Sequence, residues 1–143
     1  MDVLTAGPVI GPDRETVLAF LRAAGYSQPI QPADEVFAAW AGDEVVGAVR
    51  LAREHGVIVL RGMRVREDLR RRGIGGQLLR GLDGALDKTA TWCIPYAWLT
   101  NFYATIGFRL GELGEVPTVL NERHSQYVQQ GLNVVIMVRQ PNR

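Results

Sequence analysis

The amino-acid sequence predicts a single mixed α/β domain with a central, mostly antiparallel sheet flanked by helices. Three observations predict this fold class. Strand-like segments bounded by turn residues follow one another between residues 35 and 65. Segments of helical periodicity lie before and after them. The chain of 143 residues carries no internal repeat, low-complexity tract or long linker, so residues 1–143 are interpreted as one domain.

The first helix is indicated by apolar residues at helical spacing, namely Val17, Leu18, Leu21 and Ala24. Asp13 is its predicted N-cap, because a side-chain oxygen there can accept hydrogen bonds from the first helical amides. Gly25 is its predicted end. Pro29 and Pro32 then indicate a loop.

A three-stranded meander is predicted after this loop. Glu35 to Trp40 is its first strand, and the turn residues 41–44 lead into a second strand from Val45 to Arg53. His55-Gly56 marks the next turn, and Val57 to Val65 is the third strand. Consecutive strands joined by such short turns are predicted to pair antiparallel.

A second helix is predicted after a basic, glycine-rich segment. Its apolar face is formed by Ile74, Leu78, Leu79, Leu82, Ala85 and Leu86. Gly81 and Gly84 lie inside this helix, where each glycine costs about 1 kcal/mol relative to alanine. A close approach of the helix to the sheet is one reason to keep them, because glycine carries no Cβ.

The last third of the sequence alternates short strands and helices. The predicted elements are a buried strand at Thr91–Ile94, a helix at Leu99–Ile106, a strand from Phe108, a helix between Pro117 and Gly131, and a final strand at Asn133–Arg139. Proline is favoured in the first turn of a helix and glycine just after its end, so these two residues bracket the last helix.

Composition limits the classes of function. The net charge of +1 creates no overall field toward polyanions, so no nucleic-acid partner and no membrane partner is expected. No apolar run approaches the roughly 18 residues of a membrane span. Cys93 is the only cysteine, which agrees with the reducing cytoplasm and indicates a buried hydrophobe rather than a nucleophile. His55 and His124 lie in no ligand cluster, so no built-in metal site is expected.

The segment between the third strand and the second helix is the most informative. It runs Met63-Arg64-Val65-Arg66-Glu67-Asp68-Leu69-Arg70-Arg71-Arg72-Gly73-Ile74-Gly75-Gly76. Its glycines let the backbone approach a bulky anion, and the free N–H groups and the dipole at a helix start favour phosphate. Its arginines add charge-assisted hydrogen bonds. The pattern predicts a pyrophosphate site.

This loop differs from two common nucleotide-binding signatures. The Gly-Lys-Ser/Thr ending of a nucleoside-triphosphate loop is absent, which disfavours ATP and GTP. The full G-x-G-x-x-G spacing after a first strand is also absent, and three predicted strands precede the loop. A dinucleotide site is therefore disfavoured as well.

Two motifs in the sequence resemble those of the GCN5-related N-acetyltransferases (GNAT). Arg70-x-x-Gly73-x-Gly75 is similar to the family's R/Q-x-x-G-x-G/A signature. About thirty residues later, Phe102-Tyr103-Ala104-Thr105-Ile106-Gly107-Phe108 is similar to its F/L-Y-x-x-x-G-F segment. The predicted order of elements also resembles the family over nearly the whole chain.

The resemblance implies a GNAT-like fold with a coenzyme cleft between splayed central strands, and acetyl-CoA as cosubstrate. The implied reaction is direct attack on the thioester by a primary amine of a small-molecule or peptide acceptor. The implied coenzyme-binding residues are Met63, Val65, Arg70, Arg71, Arg72, Gly73, Ile74, Gly75 and Gly76. Main-chain atoms of the first two pair with the pantetheine arm, and the loop amides hold the pyrophosphate. The implied catalytic residue is Tyr103, which protonates the departing thiolate, although its ring also fits an ordinary core position.

Two departures from the family leave the reaction open in part. Many members carry a glutamate on the strand before the loop, where this sequence has Val59, Leu60, Arg61 and Met63. The alternatives for a general base are Glu35, Glu112, Glu115 and His124, and the sequence does not choose among them. Tyr96 stands where many members have an asparagine beside the pantetheine. A coenzyme-binding module without catalysis is therefore the competing interpretation.

The family's acceptor pocket is built from variable segments. The resemblance places it here in the first helix, in residues 25–34 and in residues 111–131, and one exposed tryptophan among Trp40, Trp92 and Trp98 could contribute to it. A homodimer through the C-terminal strands is a further expectation from the resemblance.

Overall fold

The computed structural model describes residues 4–25, 30–87 and 89–141. Within these ranges the chain forms seven β-strands and four α-helices. In chain order they are β1 (Leu4–Pro8), α1 (Asp13–Ala23), β2 (Glu35–Ala41), β3 (Glu44–Glu54), β4 (Val57–Val65), α2 (Ile74–Leu82), β5 (Thr91–Cys93), α3 (Thr100–Ala104), β6 (Arg109–Leu110), α4 (Thr118–Gln129) and β7 (Met137–Arg139). Short 3-10 turns lie at Glu67–Leu69, Asp83–Asp87 and Ala97–Leu99.

The strands form one mixed sheet in the order β1-β2-β3-β4-β5-β7-β6. The pairs β1–β2, β2–β3, β5–β7 and β6–β7 are antiparallel, whereas β4 and β5 are parallel through Ile58–Thr91 and Val59–Trp92. The predicted fold class, a mixed and mostly antiparallel sheet with helices, is confirmed. The predicted turn at His55-Gly56 is also confirmed, with φ of +50° and +77°, as a two-residue hairpin turn requires.

The chain divides into two compact units. The first comprises residues 1–52 and 60–84, and the second comprises residues 53–59 and 85–143. Strand β4 contributes its first three residues to the second unit and the remainder to the first.

In the first unit, helices cover both faces of the strands. Val17 and Leu21 of α1 pack with Val36, Ala38 and Ala48 in one buried cluster. Successive residues of a strand point to opposite faces, so the neighbouring Gly47 lies on the other face. There α2 packs so closely that a Cβ on Gly47 would lie 3.1 Å from Leu78 Cδ1 and 3.2 Å from Ile74 Cγ2.

The two glycines predicted inside the second helix have different surroundings. A Cβ on Gly81 would lie 3.1 Å from the carbonyl carbon and oxygen of Ala6 in β1, so this glycine permits a close helix–strand contact as expected. A Cβ on Gly84 would meet nothing within 4 Å. Gly84 lies in the 3-10 turn after α2 rather than in the helix, and the packing explanation is wrong for it.

In the second unit, α4 packs against β5 and β7. Its residue Leu120 is buried with Trp92, Val138 and Val59. Arg123 of α4 forms an ion pair with Glu54 at the end of β3. Pro117 and Gly131 bracket the helix as predicted, and Gly131 has φ of +87°.

Several predicted element boundaries are wrong. Strand β1 was missed because its small residues, Gly7 and Pro8 have low strand propensity, which an edge strand tolerates. Asp13 is the first residue of α1 and not its N-cap, since Pro12 occupies that position. The final strand begins only at Met137, because Val134 instead forms an isolated bridge with Tyr96. The loop predicted at Pro29 lies outside the described residues.

None of the helices in the described ranges has the length and apolar character needed to cross a bilayer.

The contrast between Gly81 and Gly84 predicts opposite effects of the same substitution. Gly81→Ala is expected to lower the free energy of unfolding by about 1–2 kcal/mol, because overpacking against the Ala6 backbone exceeds the gain in helix propensity. Gly84→Ala is expected to leave it unchanged or raise it by up to about 1 kcal/mol, because the unfolded chain loses freedom. Urea unfolding of both variants is the measurement, and equal effects would contradict the assigned contact.

Candidate functional site

Strand β4 contains a left-handed glycine just before the predicted coenzyme residues. Gly62 has φ of +72° inside the strand, which is a conformation that favours glycine and is unusual within a strand. After it, the carbonyl oxygen of Met63 accepts a hydrogen bond from Arg64 Nη1 at 2.9 Å. The carbonyl oxygen of Val65 accepts a longer one from Arg70 Nε at 3.4 Å. Arginine side chains thus contact both residues predicted to bind pantetheine through main-chain atoms.

The glycine loop has a shape set by two left-handed residues. Arg71 has φ of +67° and Gly73 has φ of +80°. The left-handed region is rare for a residue with a side chain, and such strain is common at ligand sites. Helix α2 starts immediately afterwards, since the Gln77 amide donates to the Gly73 carbonyl oxygen at 3.0 Å. Ile74 is buried and holds the start of the helix in the core.

The first-turn amides of α2 belong to Ile74, Gly75 and Gly76. Amides at the start of an α-helix have no acceptor within the helix, and the dipole places partial positive charge there. The side chains of Arg70, Arg71 and Arg72 are exposed beside this helix start. Seven of the predicted residues, Arg70 to Gly76, therefore lie at one helix start, where free amides and exposed arginines favour an anion.

Arg66 is held differently from the three arginines that follow. Its guanidinium lies 2.7 Å from Asp68 Oδ1 and 2.6 Å from Glu44 Oε1. The hydrogen bond from Arg66 holds the pKa of the Asp68 carboxyl below its usual range. These carboxylates neutralise Arg66 and leave the positive charge of the loop concentrated at Arg70–Arg72.

Tyr103 lies in the second unit, on the buried side of α3. Only 8% of its surface is exposed. Phe102 and Phe108 hold its ring edge-on, with centroid distances of 5.1 and 5.9 Å. The Tyr103 carbonyl oxygen accepts hydrogen bonds from the amides of Ile106 and Phe108. The second sequence motif is therefore a compact unit that fixes the orientation of the phenol.

An exposed aromatic pair precedes this helix. The rings of Tyr96 and Trp98 stack with centroids 4.6 Å apart and planes 5° apart. Tyr96 is 41% exposed and Trp98 is 68% exposed. Trp98 is the exposed tryptophan considered in the sequence, whereas Trp92 is buried. A stacked indole with a free face suits apolar or cationic groups.

The four alternatives for a base have distinct surroundings. Glu35 and Glu112 are exposed. Glu115 receives two hydrogen bonds from Arg109, at 2.6 and 3.0 Å, and the Arg109 guanidinium lowers its pKa to about 2. A carboxylate with so low a pKa is a weak base. His124 is half-buried, and its Nε2 lies 2.9 Å from the carbonyl oxygen of Val134.

Other features of the second unit lie apart from the predicted residues. Cys93 is buried, and burial raises the pKa of its thiol, as expected for an inert hydrophobe. A cavity of about 450 Å³ is lined by Arg53, Gly56, Val57, Ile58, Thr89, Ala90, Trp92 and Pro117. It includes none of the predicted coenzyme-binding or catalytic residues, but Trp92 and Pro117 belong to the set considered for the acceptor pocket. The described residues contain no group of three or more metal-ligating side chains.

Comparison with known families tests whether the chain shares only the glycine loop with the GNAT proteins or a larger part of their domain. The family model of the acetyltransferase (GNAT) domain matches residues 32–110, which is more than half of the chain and includes both motifs. The chain belongs to the GNAT acetyltransferase family. The matched range extends from just before β2 to β6, so it includes the glycine loop and the helix that carries Tyr103.

Solved structures show the same GNAT fold at low sequence identity. Escherichia coli ElaA is 20% identical with a TM-score of 0.64, and the match covers 98% of this chain and all of that one. The ribosomal-protein-S18-alanine N-acetyltransferase of E. coli is 16% identical with a TM-score of 0.67, covering 99% and 96%. N-acetylglutamate synthase from Neisseria gonorrhoeae, solved with coenzyme A and N-acetylglutamate, is 15% identical with a TM-score of 0.67. That match covers all of this chain and 36% of the synthase. A search of curated protein sequences found no match.

The sequence analysis did not predict two structural features of this GNAT chain. The left-handed Gly62 was signalled only by a glycine inside a predicted strand. A buried ion pair joins Arg50 of β3 to Asp34, with Nη1 and Oδ2 2.5 Å apart and both side chains 3% exposed. Its signal was a charged residue within an otherwise apolar strand. Arg14 also donates to the Asp34 carbonyl oxygen, so this pair anchors the segment before β2.

The Arg109–Glu115 pair predicts the titration of Glu115. Its pKa is lowered from 4.5 to about 2 in the folded chain, so the pair contributes stability above pH 4.5 that is lost as the pH falls toward 2. Arg109→Gln is expected to raise the pKa toward its ordinary range, although the hydrogen bond from the Glu112 amide continues to lower it in part. Carboxyl NMR titration of both proteins is the measurement, and a Glu115 that titrates near 4.5 in the wild type would show that the pair does not form in solution.

Proposed function

We propose that this GNAT chain is an N-acetyltransferase that transfers the acetyl group of acetyl-CoA to a primary amine of a small molecule or peptide. The observation that supports this most strongly is the glycine loop. It combines left-handed Arg71 and Gly73, exposed arginines and the first amides of α2 in a chain whose family uses such a loop for a coenzyme. The proposal has two parts, which concern the coenzyme and the acetyl transfer.

Coenzyme binding is proposed for the residues implied by the sequence motif. The amides of Arg71 to Gly76 bind the pyrophosphate, and Arg70 and Arg72 add charge-assisted hydrogen bonds. Main-chain atoms of Met63 and Val65 bind the pantetheine arm, after rotation of the arginine side chains that now contact their carbonyl oxygens. The synthase solved with coenzyme A shares this fold, which supports the choice of coenzyme.

Acetyl transfer is proposed to use Tyr103 as the proton donor. The amine nitrogen attacks the thioester carbonyl, a C–N bond forms and the C–S bond breaks. The Tyr103 phenol protonates the departing thiolate, which a group with a reference pKa near 10 can do. Its nearly buried ring is held by Phe102 and Phe108, and this restricts the phenol to one orientation.

A coenzyme-binding module without catalysis is the second candidate. It is favoured by the absence of a carboxylate from β4 and by Tyr96 at the position of the family's asparagine. Neutralising a lysine-like amine at pH 7 costs roughly 4–5 kcal/mol, so an enzyme profits from a base at the acceptor. Release of free coenzyme A in the presence of a primary amine separates the two candidates.

The loop assignment predicts the effect of a charge reversal. Arg72→Glu is expected to weaken acetyl-CoA binding about tenfold or more, because one charge-assisted hydrogen bond is replaced by repulsion of the pyrophosphate. Arg22→Glu, at the exposed end of α1, makes the same change in net charge and is the matched control. Isothermal titration measures both. Absence of binding by the folded wild type would overturn the acetyltransferase proposal.

The donor assignment predicts a separate effect on turnover. Tyr103→Phe is expected to lower kcat by on the order of 10²-fold while leaving the Kd for acetyl-CoA unchanged, because the ring is kept and only the proton is removed. Free thiol release at saturating acetyl-CoA is the readout, and an unchanged kcat in Tyr103→Phe would reject the phenol as donor.

A further inference from the structure

We propose that His124 is the general base that removes the proton from the amine acceptor, through its Nδ1 atom. This inference deepens the proposed function and rests on it. Neither family motif includes His124, and the sequence left four alternatives open. The structure distinguishes three of them, Glu112, Glu115 and His124, by the surroundings of each side chain.

The tautomer of His124 follows from its hydrogen bond. Nε2 lies 2.9 Å from the carbonyl oxygen of Val134, and a carbonyl oxygen can only accept. Nε2 therefore carries the hydrogen. In a neutral imidazole the other nitrogen, Nδ1, then keeps its lone pair and accepts a proton. A hydrogen bond that fixes one ring nitrogen in this way is a common means of orienting a histidine base.

The bonded carbonyl belongs to a junction that also supports the start of the Tyr103 segment. Val134 forms a bridge with Tyr96, and two backbone hydrogen bonds flank it, from Ala97 to Asn133 at 2.9 Å and from Val135 to Pro95 at 3.0 Å. The residues after this junction form the short turn and the helix α3 that carry Tyr103. His124 is thus bound to the same local framework as the proposed proton donor.

Position and access also favour His124 over Glu112 and Glu115. It is half-buried on α4, which is anchored by the Arg123–Glu54 ion pair next to it. Glu115 is occupied by Arg109, and the side chain of Glu112 is exposed. The exposed stack of Tyr96 and Trp98 begins at the bridge to Val134 and offers a surface for the carbon chain or ammonium group of the acceptor.

The proposed step balances as follows. The ammonium form of the acceptor gives one proton to Nδ1 of His124 and becomes a neutral amine. Its nitrogen forms the C–N bond as the C–S bond breaks, and Tyr103 protonates the thiolate. The second proton lost by the nitrogen returns Tyr103 to the phenol, and the proton on His124 passes to solvent. The products are the N-acetylated amine and free coenzyme A.

The first test reads the tautomer without any acceptor. Long-range ¹H–¹⁵N correlation spectra of the wild type, recorded where the His124 ring is neutral, are expected to show a protonated Nε2 and an unprotonated Nδ1. His55→Gln assigns the second histidine signal. A hydrogen on Nδ1 in the neutral ring would overturn the proposal, whatever the acceptor.

The second test compares His124→Gln with the wild type at saturating acetyl-CoA, using propylamine and methoxyamine as acceptors. Glutamine keeps a donor for the Val134 carbonyl oxygen and removes the base. We expect a loss on the order of 10²-fold or more with propylamine and less than about tenfold with methoxyamine, which is largely neutral at pH 7 and needs no base. His55→Gln, in the exposed turn after β3, is expected to match the wild type with both.

The outcomes separate this proposal from the proposed function. Equal losses with both amines indicate a structural role and overturn the base assignment, as does no loss with either. A wild type that binds acetyl-CoA but acetylates neither amine favours the coenzyme-binding module over the acetyltransferase and thereby removes the reaction that the base would serve. Failure of the wild type to bind acetyl-CoA instead contradicts the acetyltransferase proposal itself.

Discussion

The close contact of α2 with the strands beneath it is the constraint on which the candidate coenzyme site depends. Gly47 lets Ile74 and Leu78 approach β3, and Gly81 lets the helix approach the backbone of β1. Ile74 is the first residue of α2, so this packing also sets where the helix begins. A helix start binds an anion only if its free amides are held in place, because a mobile set of donors must be ordered on binding. The loop is therefore supported by buried apolar contacts rather than by its own charged residues.

In the second unit, backbone hydrogen bonds hold the segment that leads into α3, whereas in the first unit apolar packing holds the start of α2. The segment at Val134 does not continue as a regular strand but bonds to residues 95–97, which lead into α3. The same Val134 carbonyl oxygen accepts a hydrogen bond from Nε2 of His124. One short junction thereby orients a helix, an exposed aromatic stack and an imidazole. The proposed reaction would benefit from such an arrangement, because groups that act in one reaction step need a fixed relative geometry.

Electrostatic interactions distinguish two sets of arginines in this nearly neutral chain. Arg66, Arg109 and Arg123 are each paired with a glutamate or aspartate, and Arg50 is buried against Asp34. Arg70, Arg71 and Arg72 are exposed at the loop. The net charge of +1 is therefore compatible with a local concentration of positive charge at the loop, as the proposed binding of a polyanionic coenzyme requires.

The fold class, the meander and both family motifs could be predicted from the amino-acid sequence, because period-2 and period-3.6 patterns, turn glycines and motif spacing are local properties of the chain. The sequence also placed the bounds of β4 and the glycine that ends α4. It missed β1, whose pairing with β2 is a long-range contact between residues of low strand propensity. Only the tertiary structure decided that Gly81 serves close packing and Gly84 does not, since that depends on which backbone lies opposite. The tertiary structure was also needed to distinguish Glu115 from His124 as candidates for the base. Their hydrogen-bond partners, and hence the tautomer of the histidine, depend on residues that irregular turns or long-range contacts bring close.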